Sequence, residues 1–201
     1  MRKAVLISIK LEWCTLISRK EKSLEVRKSK PKIKVPFKCY IYCTKQFGSG
    51  KGYDCKEWAG AGKVIGEFIC DGIFVDETYG HNKTFYDMAC MSETDIAWYC
   101  CQSPMYGWHI SNLKIYDRPK ELGEFSPATC GKKRCFNCEC FDIDKTSCTL
   151  KRPPQSWCYV EEREDNLEML KEASKPITQD VLASATDEGA DYIEGFTLMP
   201  G

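Results

Sequence analysis

The 201-residue sequence contains no apolar run approaching the ~20 residues that a bilayer-spanning helix needs. That excludes a helical membrane span. A secretory leader pattern is also missing: the opening MRKAVLISIKLEWCTLIS begins basic, but Lys10 and Glu12 interrupt it and no small-residue cleavage site follows. A cytoplasmic protein is expected. Histidine is scarce, with two in the whole chain. His109 sits between Trp108 and Ile110 with no second histidine nearby, the setting of a hydrogen-bonded structural histidine rather than a catalytic one. Net charge is zero, yet residues 1–45 hold 13 Lys/Arg against 3 Asp/Glu and residues 161–201 hold 3 against 11. A basic first third and an acidic last segment predict a polyanion partner, with the acidic segment as competitor or solubiliser.

What is present is a globular composition, 43% apolar, in a chain long enough for one domain plus an appendage. The 14 cysteines are unevenly placed. Cys39 and Cys43 alternate with Ile41, and Cys70 and Cys158 also lie in strand-like runs, as small buried residues do. Cys130, Cys135, Cys138, Cys140 and Cys148 crowd into 19 residues. The C-x2-C pair at Cys135 and Cys138 has the spacing of a tetrahedral thiolate site, which Cys130 and Cys148 would complete. A structural zinc on these four is expected, with Cys140 or Cys55 as substitute ligands. Disulfides, free thiols and an iron–sulfur cluster are the other readings. No histidine or carboxylate pairing suggests an open metal position, so the cluster is read as structural or RNA-contacting.

Alternation predicts strands at Val5–Lys10, Ser23–Ser29, Phe37–Thr44, Lys63–Val75 (bending at Gly66 or Gly72), one or two over Tyr106–Asp117, and a last one at Ser156–Val160. Trp13, Leu16 and Ile17 at helical spacing predict a short helix over Glu12–Lys20. Ser92-Glu-Thr-Asp95 has capping-box spacing and predicts a second helix start. Residues 46–62, with five glycines, read as a loop, and Asn166–Lys175 as a short helix before Pro176. These elements make a small mixed β-barrel the natural architecture.

On the second strand, Ser23, Glu25 and Arg27 share one face and Leu24 and Val26 the other, with Lys22 at its mouth. A lysine beside a glutamate and an arginine can bind phosphate or activate a carbonyl. The plain reading is an exposed ion pair worth ~0–1 kcal/mol with a solvated lysine. Arg27, Lys28, Lys30, Lys32, Lys34 and Lys38 continue as a basic ramp suited to a phosphate backbone. Trp13, Tyr40, Tyr42, Trp108 and Trp157 are candidate stacking platforms, with burial in the core as the competing role for most.

The run from Trp13 to Arg27, WCTLISRKEKSLEVR, resembles the signature of the ASCH domain family, a helix followed by Gly-x-Lys-x-x-Glu-x-Arg. Lys22, Glu25 and Arg27 fall on the motif positions, and Lys20 stands where the helix-capping glycine would be. The segments PFKCYIYCTK, GWHISNLKIYD and PPQSWCYVEE are similar to those of a bacterial and phage subgroup. The resemblance implies an α+β fold, a PUA-like β-barrel over residues 1–162 with two or three short helices. A cysteine-rich insertion at 127–152 and a loose acidic tail at 163–201 complete the expected organisation.

For function, the resemblance implies recognition of RNA or a modified nucleoside. The nucleic-acid-binding residues are then Lys22, Ser23, Glu25, Arg27, Lys28, Lys30, Trp13 and Trp108. One branch of the family hydrolyses N4-acetylcytidine with a lysine, a threonine and a distant glutamate. Lys22 matches the lysine, but Glu25 stands at the threonine position and Ala89 at the glutamate, with Asp87 nearby. If the protein is an enzyme, Lys22 is its catalytic candidate. An amidohydrolase or nuclease and a phage-type protein-interaction scaffold are the alternative functions.

Overall fold

The computed structural model describes residues 2–45, 60–78, 81–100, 103–128, 148–163 and 197–198. Its elements in chain order are β1 (Lys3–Ile9), α1 (Leu11–Ser18), β2 (Leu24–Arg27), β3 (Phe37–Cys43), β4 (Val64–Cys70), β5 (Ile73–Asp76), α2 (Lys83–Met88), α3 (Glu93–Cys100), β6 (Met105–His109), β7 (Ser111–Lys120), β8 (Trp157–Glu161) and β9 (Thr197–Leu198). The strands form a five-stranded sheet, β7-β4-β3-β1-β8, and a four-stranded sheet, β2-β6-β5-β9. The fold is α+β and barrel-like, without hydrogen-bonded closure between the two sheets among the described strands.

Alternation places the cores. Val5, Ile7 and Ile9 of β1 and Cys39 and Ile41 of β3 face the main core with Trp108. Ala4, Leu6, Tyr40 and Tyr42 face a second core on the other side of the same sheet, closed by Phe125, Leu150 and Val160. A sheet covered on both faces accounts for strands that are buried along almost their whole length. Because β1 and β3 are parallel neighbours, the chain between them must cross over, and that crossover carries α1 and β2. The candidate motif therefore lies on a segment that passes from the first sheet to the second and back.

The strand expected over Lys63–Val75 divides at Asp71-Gly72, because β4 pairs in one sheet and β5 in the other. Its partner divides likewise at Ile110, between β6 and β7. The two corners are pinned together. His109 Nδ1 lies 2.6 Å from Asp71 Oδ1, and the His109 backbone N–H donates to the Gly72 carbonyl at 2.9 Å. This is the hydrogen-bonded structural histidine expected from the sequence.

Helix α1 ends in a left-handed turn although the motif glycine is absent. Lys20, in place of the motif glycine, takes the left-handed conformation at φ 62°, and its N–H donates to the Ile17 carbonyl at 2.9 Å. A side chain in that conformation costs about 1 kcal/mol relative to glycine. Helix α3 starts at the expected box: the Ser92 hydroxyl donates to Asp95 at 2.6 Å, and the Asp95 N–H returns to Ser92 Oγ at 3.2 Å. Helix α2 had no sequence signal beyond Asn82, whose side chain accepts from the Phe85 N–H at 3.1 Å. It seats Phe85 against β6, where a Cβ on Gly107 would lie 2.7 Å from the Phe85 ring. Within the expected loose tail, the described residues Thr197 and Leu198 pair with Val75 and Phe74. The expected helix over Asn166–Lys175 lies outside the described residues, as does most of the loop at 46–62.

Burial raises the thiol pKa of Cys14, Cys39 and Cys70 above 9.0 and the hydroxyl pKa of Tyr40 and Tyr116 above 10.0. In each, the folded state keeps a proton that the unfolded state loses. The stability they contribute is complete below the unfolded pKa and falls as pH rises through and beyond it. Lys22, whose pKa burial lowers, acts in the opposite sense below 10.5 and is outnumbered. An unfolding free energy that falls between about pH 8 and pH 10, by on the order of 1.4 kcal/mol per protected thiol per pH unit above its unfolded pKa, is expected and lowers the urea midpoint. An unchanged midpoint would contradict the burial of these groups.

Candidate nucleic-acid site

The motif strand is shorter than its sequence suggests. Only Leu24–Arg27 pairs, antiparallel to β6, with Glu25 opposite Trp108 and Arg27 opposite Tyr106. Ser23 precedes it, its N–H donating to the Met88 carbonyl at 3.1 Å. Leu24 and Val26 face a third core formed with Phe74, Phe85, Tyr86 and Met105 beneath α2 and α3. Glu25 and Arg27 point the other way as alternation requires, but toward the junction of the two sheets rather than toward open solvent.

Three charged side chains meet there with little water. Lys22 and Glu25 are each 3% exposed and Arg27 is 13% exposed. Glu25 Oε1 is 3.0 Å from Arg27 Nη2, and Oε2 is 3.6 Å from Lys22 Nζ. Arg27 Nη2 also donates to the Ser8 carbonyl of β1 at 2.6 Å, tying the second sheet to the first. Lys22 Nζ donates to the Ala89 carbonyl at 2.5 Å and sits 5.0 Å from the Trp13 ring centroid. Burial lowers the Lys22 pKa, and the Glu25 carboxylate partly offsets that. The plain reading of an exposed pair with a solvated lysine is thereby replaced by a buried triad.

The triad is not internally complete. Among the described residues, the buried side-chain nitrogen and oxygen atoms with no hydrogen-bond partner are Glu25 Oε2, Arg27 Nε and Trp108 Nε1. All three belong to the paired Glu25–Trp108 register and its neighbour Arg27. One acceptor and two donors are therefore left over in one place, beside a guanidinium that reaches solvent.

The other sequence-derived candidates separate. Trp13 is half-buried under the Lys22 amine, and Trp108 is fully buried between Phe37 and Trp157, its ring centroid 5.9 and 5.8 Å from theirs. Trp108 thus offers its indole N–H rather than an open ring face. Tyr40 and Tyr42 face the second core, away from the site. Lys28 is exposed and Lys30 partly so, each over an aromatic ring: Tyr99 at 5.2 Å and Tyr106 at 5.9 Å. Trp157 donates to Ser29 Oγ at 3.1 Å and Tyr159 accepts from the Lys32 N–H at 2.7 Å, which fixes the ramp over β8. Lys38 does not belong to the ramp. It is 1% exposed on the far face of β3, paired with Glu67 Oε1 at 3.6 Å, because its position alternates with Cys39 and so falls on the Tyr40 side.

Ala89 does lie beside Lys22, as its place relative to the motif implied, but it brings a carbonyl where a glutamate would bring a carboxylate. The roles of the Ser8 and Ala89 carbonyls as acceptors carry no side-chain signal and were not foreseen. Of the expected zinc ligands, Cys130, Cys135 and Cys138 lie outside the described residues, and Cys148 is half-buried at the start of a described segment. No cluster of metal-ligating side chains occurs among the described residues, and no described helix is long and apolar enough to cross a membrane.

No family model and no curated protein matches the sequence. Solved structures do match. The ASCH crystal structure from Zymomonas mobilis aligns at 16% identity with a TM-score of 0.52, over 79% of this chain and 88% of that one. Tyrosine-to-phenylalanine and serine-to-alanine mutants of the same protein each give 0.53, at 16% and 17% identity, over 80% of this chain and 92% and 90% of theirs. With the sheet order and the motif strand already in place, the chain has the fold of the ASCH domain.

Proposed function

We propose that the protein recognises RNA or a modified nucleoside at the Lys22–Glu25–Arg27 cluster. The observation that carries this reading is the set of buried atoms without a hydrogen-bond partner among the described residues: Glu25 Oε2, held only by the 3.6 Å ion pair to Lys22, Arg27 Nε and Trp108 Nε1. A buried polar group left without a partner costs about 1–3 kcal/mol, so three in one place favour a ligand that satisfies them. A base edge with an amine beside ring and carbonyl acceptors, as cytosine has, complements one acceptor and two donors. The exposed cations of the ramp supply the sequence-independent attraction for phosphate.

The Arg27→Lys variant keeps the charge beside Glu25 and removes the Nε–H. It is expected to weaken single-stranded RNA binding, read by fluorescence anisotropy, by about tenfold with a small change in stability, and wild-type affinity is expected to fall steeply between about 50 and 200 mM salt. Wild-type affinity in Arg27→Lys would overturn the reading. A second reading rests on Lys22. Burial lowers its pKa, which suits an amine that acts as a base. On that reading, acetate release from N4-acetylcytidine should be lost in Lys22→Ala.

A further inference from the structure

We propose that a recess at the edge of the first sheet, ringed by Lys114, Arg118 and Lys120, binds a diphosphate group, carried by a nucleotide or free as pyrophosphate. The recess is separate from the Lys22–Glu25–Arg27 cluster and does not depend on the RNA reading. It is formed by β7, the outer strand beside β4. Along their ladder β4 advances two residues, Val64 to Gly66, while β7 advances five, Ile115 to Lys120. The surplus on β7 leaves the ladder as a bulge, which re-aims side chains that strict alternation would separate. Gly66 lets the two strands close beside it: a Cβ there would lie 2.5 Å from the Lys114 carbonyl oxygen and 3.1 Å from Ile115 Cδ1. The recess has a volume of about 410 Å³ and is lined by the bulge and by Glu67 of β4. Small-molecule pockets span ~300–1,000 Å³, so there is room for more than one phosphate.

The charge of the lining selects an anion. Glu67, its buried member, is already balanced: Lys38 lies 3.6 Å from Oε1, and the Tyr116 hydroxyl donates to Oε2 at 2.6 Å. Burial and then Glu67 raise the Tyr116 pKa, so this phenol adds no negative charge at neutral pH. Of the other charged lining residues, Asp117 is negative and Lys114, Arg118 and Lys120 are positive. Lys120 Nζ stands 4.7 Å from the centroid of the Tyr116 ring, which Glu67 holds in place. A guanidinium fork flanked by two amines suits the oxygens of a phosphoanhydride. Lysines and a bulge also blunt a sheet edge against pairing with another chain. Edge protection alone spreads charge along a strand. It needs neither three cations about one recess nor a glycine in the neighbouring strand to seat it.

The test is isothermal titration calorimetry of the full-length protein at low salt with pyrophosphate, ADP and AMP. The wild type is expected to bind both diphosphates, and to bind AMP, with its single phosphate, about tenfold more weakly. Arg118 is exposed, so Arg118→Ala keeps the fold and is expected to weaken both diphosphates by about tenfold. Arg118→Lys, a point charge without the fork, should fall between the two. Replacing Lys28 and Lys30 together with alanine should leave pyrophosphate binding unchanged. Equal affinity for pyrophosphate and ADP assigns the recess to the diphosphate group alone, and tighter ADP assigns it to a nucleotide. The site is overturned if neither diphosphate binds, if Arg118→Ala binds them as the wild type does, or if binding is lost with Lys28 and Lys30 instead. Normal binding by an Arg118→Ala protein that self-associates in sedimentation would assign the cations to edge protection and overturn it as well.

Discussion

Replacing Glu25 with alanine is expected to destabilise the fold by about 3–5 kcal/mol, the range for breaking a buried ion pair from one side. The carboxylate is the only anion in the triad. Without it the Lys22 amine and the Arg27 guanidinium remain close together as buried like charges. Equilibrium urea unfolding reads the loss directly, and a change under about 1 kcal/mol would mean that water or another anion already compensates the pair. A triple replacement by apolar residues, Lys22→Met, Glu25→Leu and Arg27→Met, is expected to recover most of the stability, because a buried ionic triad is seldom better than well-packed side chains. It should not recover RNA binding. That contrast separates what the charges do for the fold from what they do for a ligand.

The second large effect is expected at Glu67. Its Oε1 faces Lys38 at 3.6 Å, and its Oε2 accepts from the Tyr116 hydroxyl at 2.6 Å. Lys38 is 1% exposed, so Glu67→Ala strands a buried ammonium and should also cost about 3–5 kcal/mol. Two further readouts distinguish this site from the first. Burial and then Glu67 raise the Tyr116 pKa, so removing the carboxylate should let Tyr116 ionise at lower pH in an ultraviolet titration. Because Glu67 and Lys38 lie on the second-core side of the first sheet, RNA affinity at a temperature where the variant is folded should match the wild type. A loss of RNA binding in Glu67→Ala would place the ligand on the wrong face of the sheet.

Much of this arrangement was legible in the sequence, for identifiable reasons. Period-two alternation located every strand of the motif region, since Leu24 and Val26 must take one face and Glu25 and Arg27 the other. The alternation of Lys38 with Cys39 held the same information. Counting it with the ramp gave charge precedence over parity, although charge does not determine the face of a strand. The splitting of Lys63–Val75 between two sheets depends on the His109–Asp71 and His109–Gly72 contacts, which join residues 37 or more positions apart and leave no local mark. Burial of the triad was hidden for a similar reason. A strand beside charged residues reads as an edge, whereas α1 and the first sheet cover that face only once the crossover is made. The partners of the triad are backbone carbonyls at Ser8 and Ala89, and every residue type has one. Lys20 is a further case: it stands at the place of the expected helix-capping glycine and takes the left-handed conformation that the glycine would have taken.

The most direct measurement follows the Trp108 indole N–H by two-dimensional nitrogen–proton NMR while cytidine monophosphate or single-stranded RNA is added. This N–H is buried without an acceptor and lies opposite Glu25 in the β2–β6 register. If the ligand's base enters the cluster, the Trp108 resonance moves downfield to saturation with the same midpoint as binding, and Arg27→Lys shifts that midpoint to higher concentration. If the RNA saturates the protein while the Trp108 resonance stays in place, the unpartnered atoms are no part of a binding site and the assignment of the cluster fails.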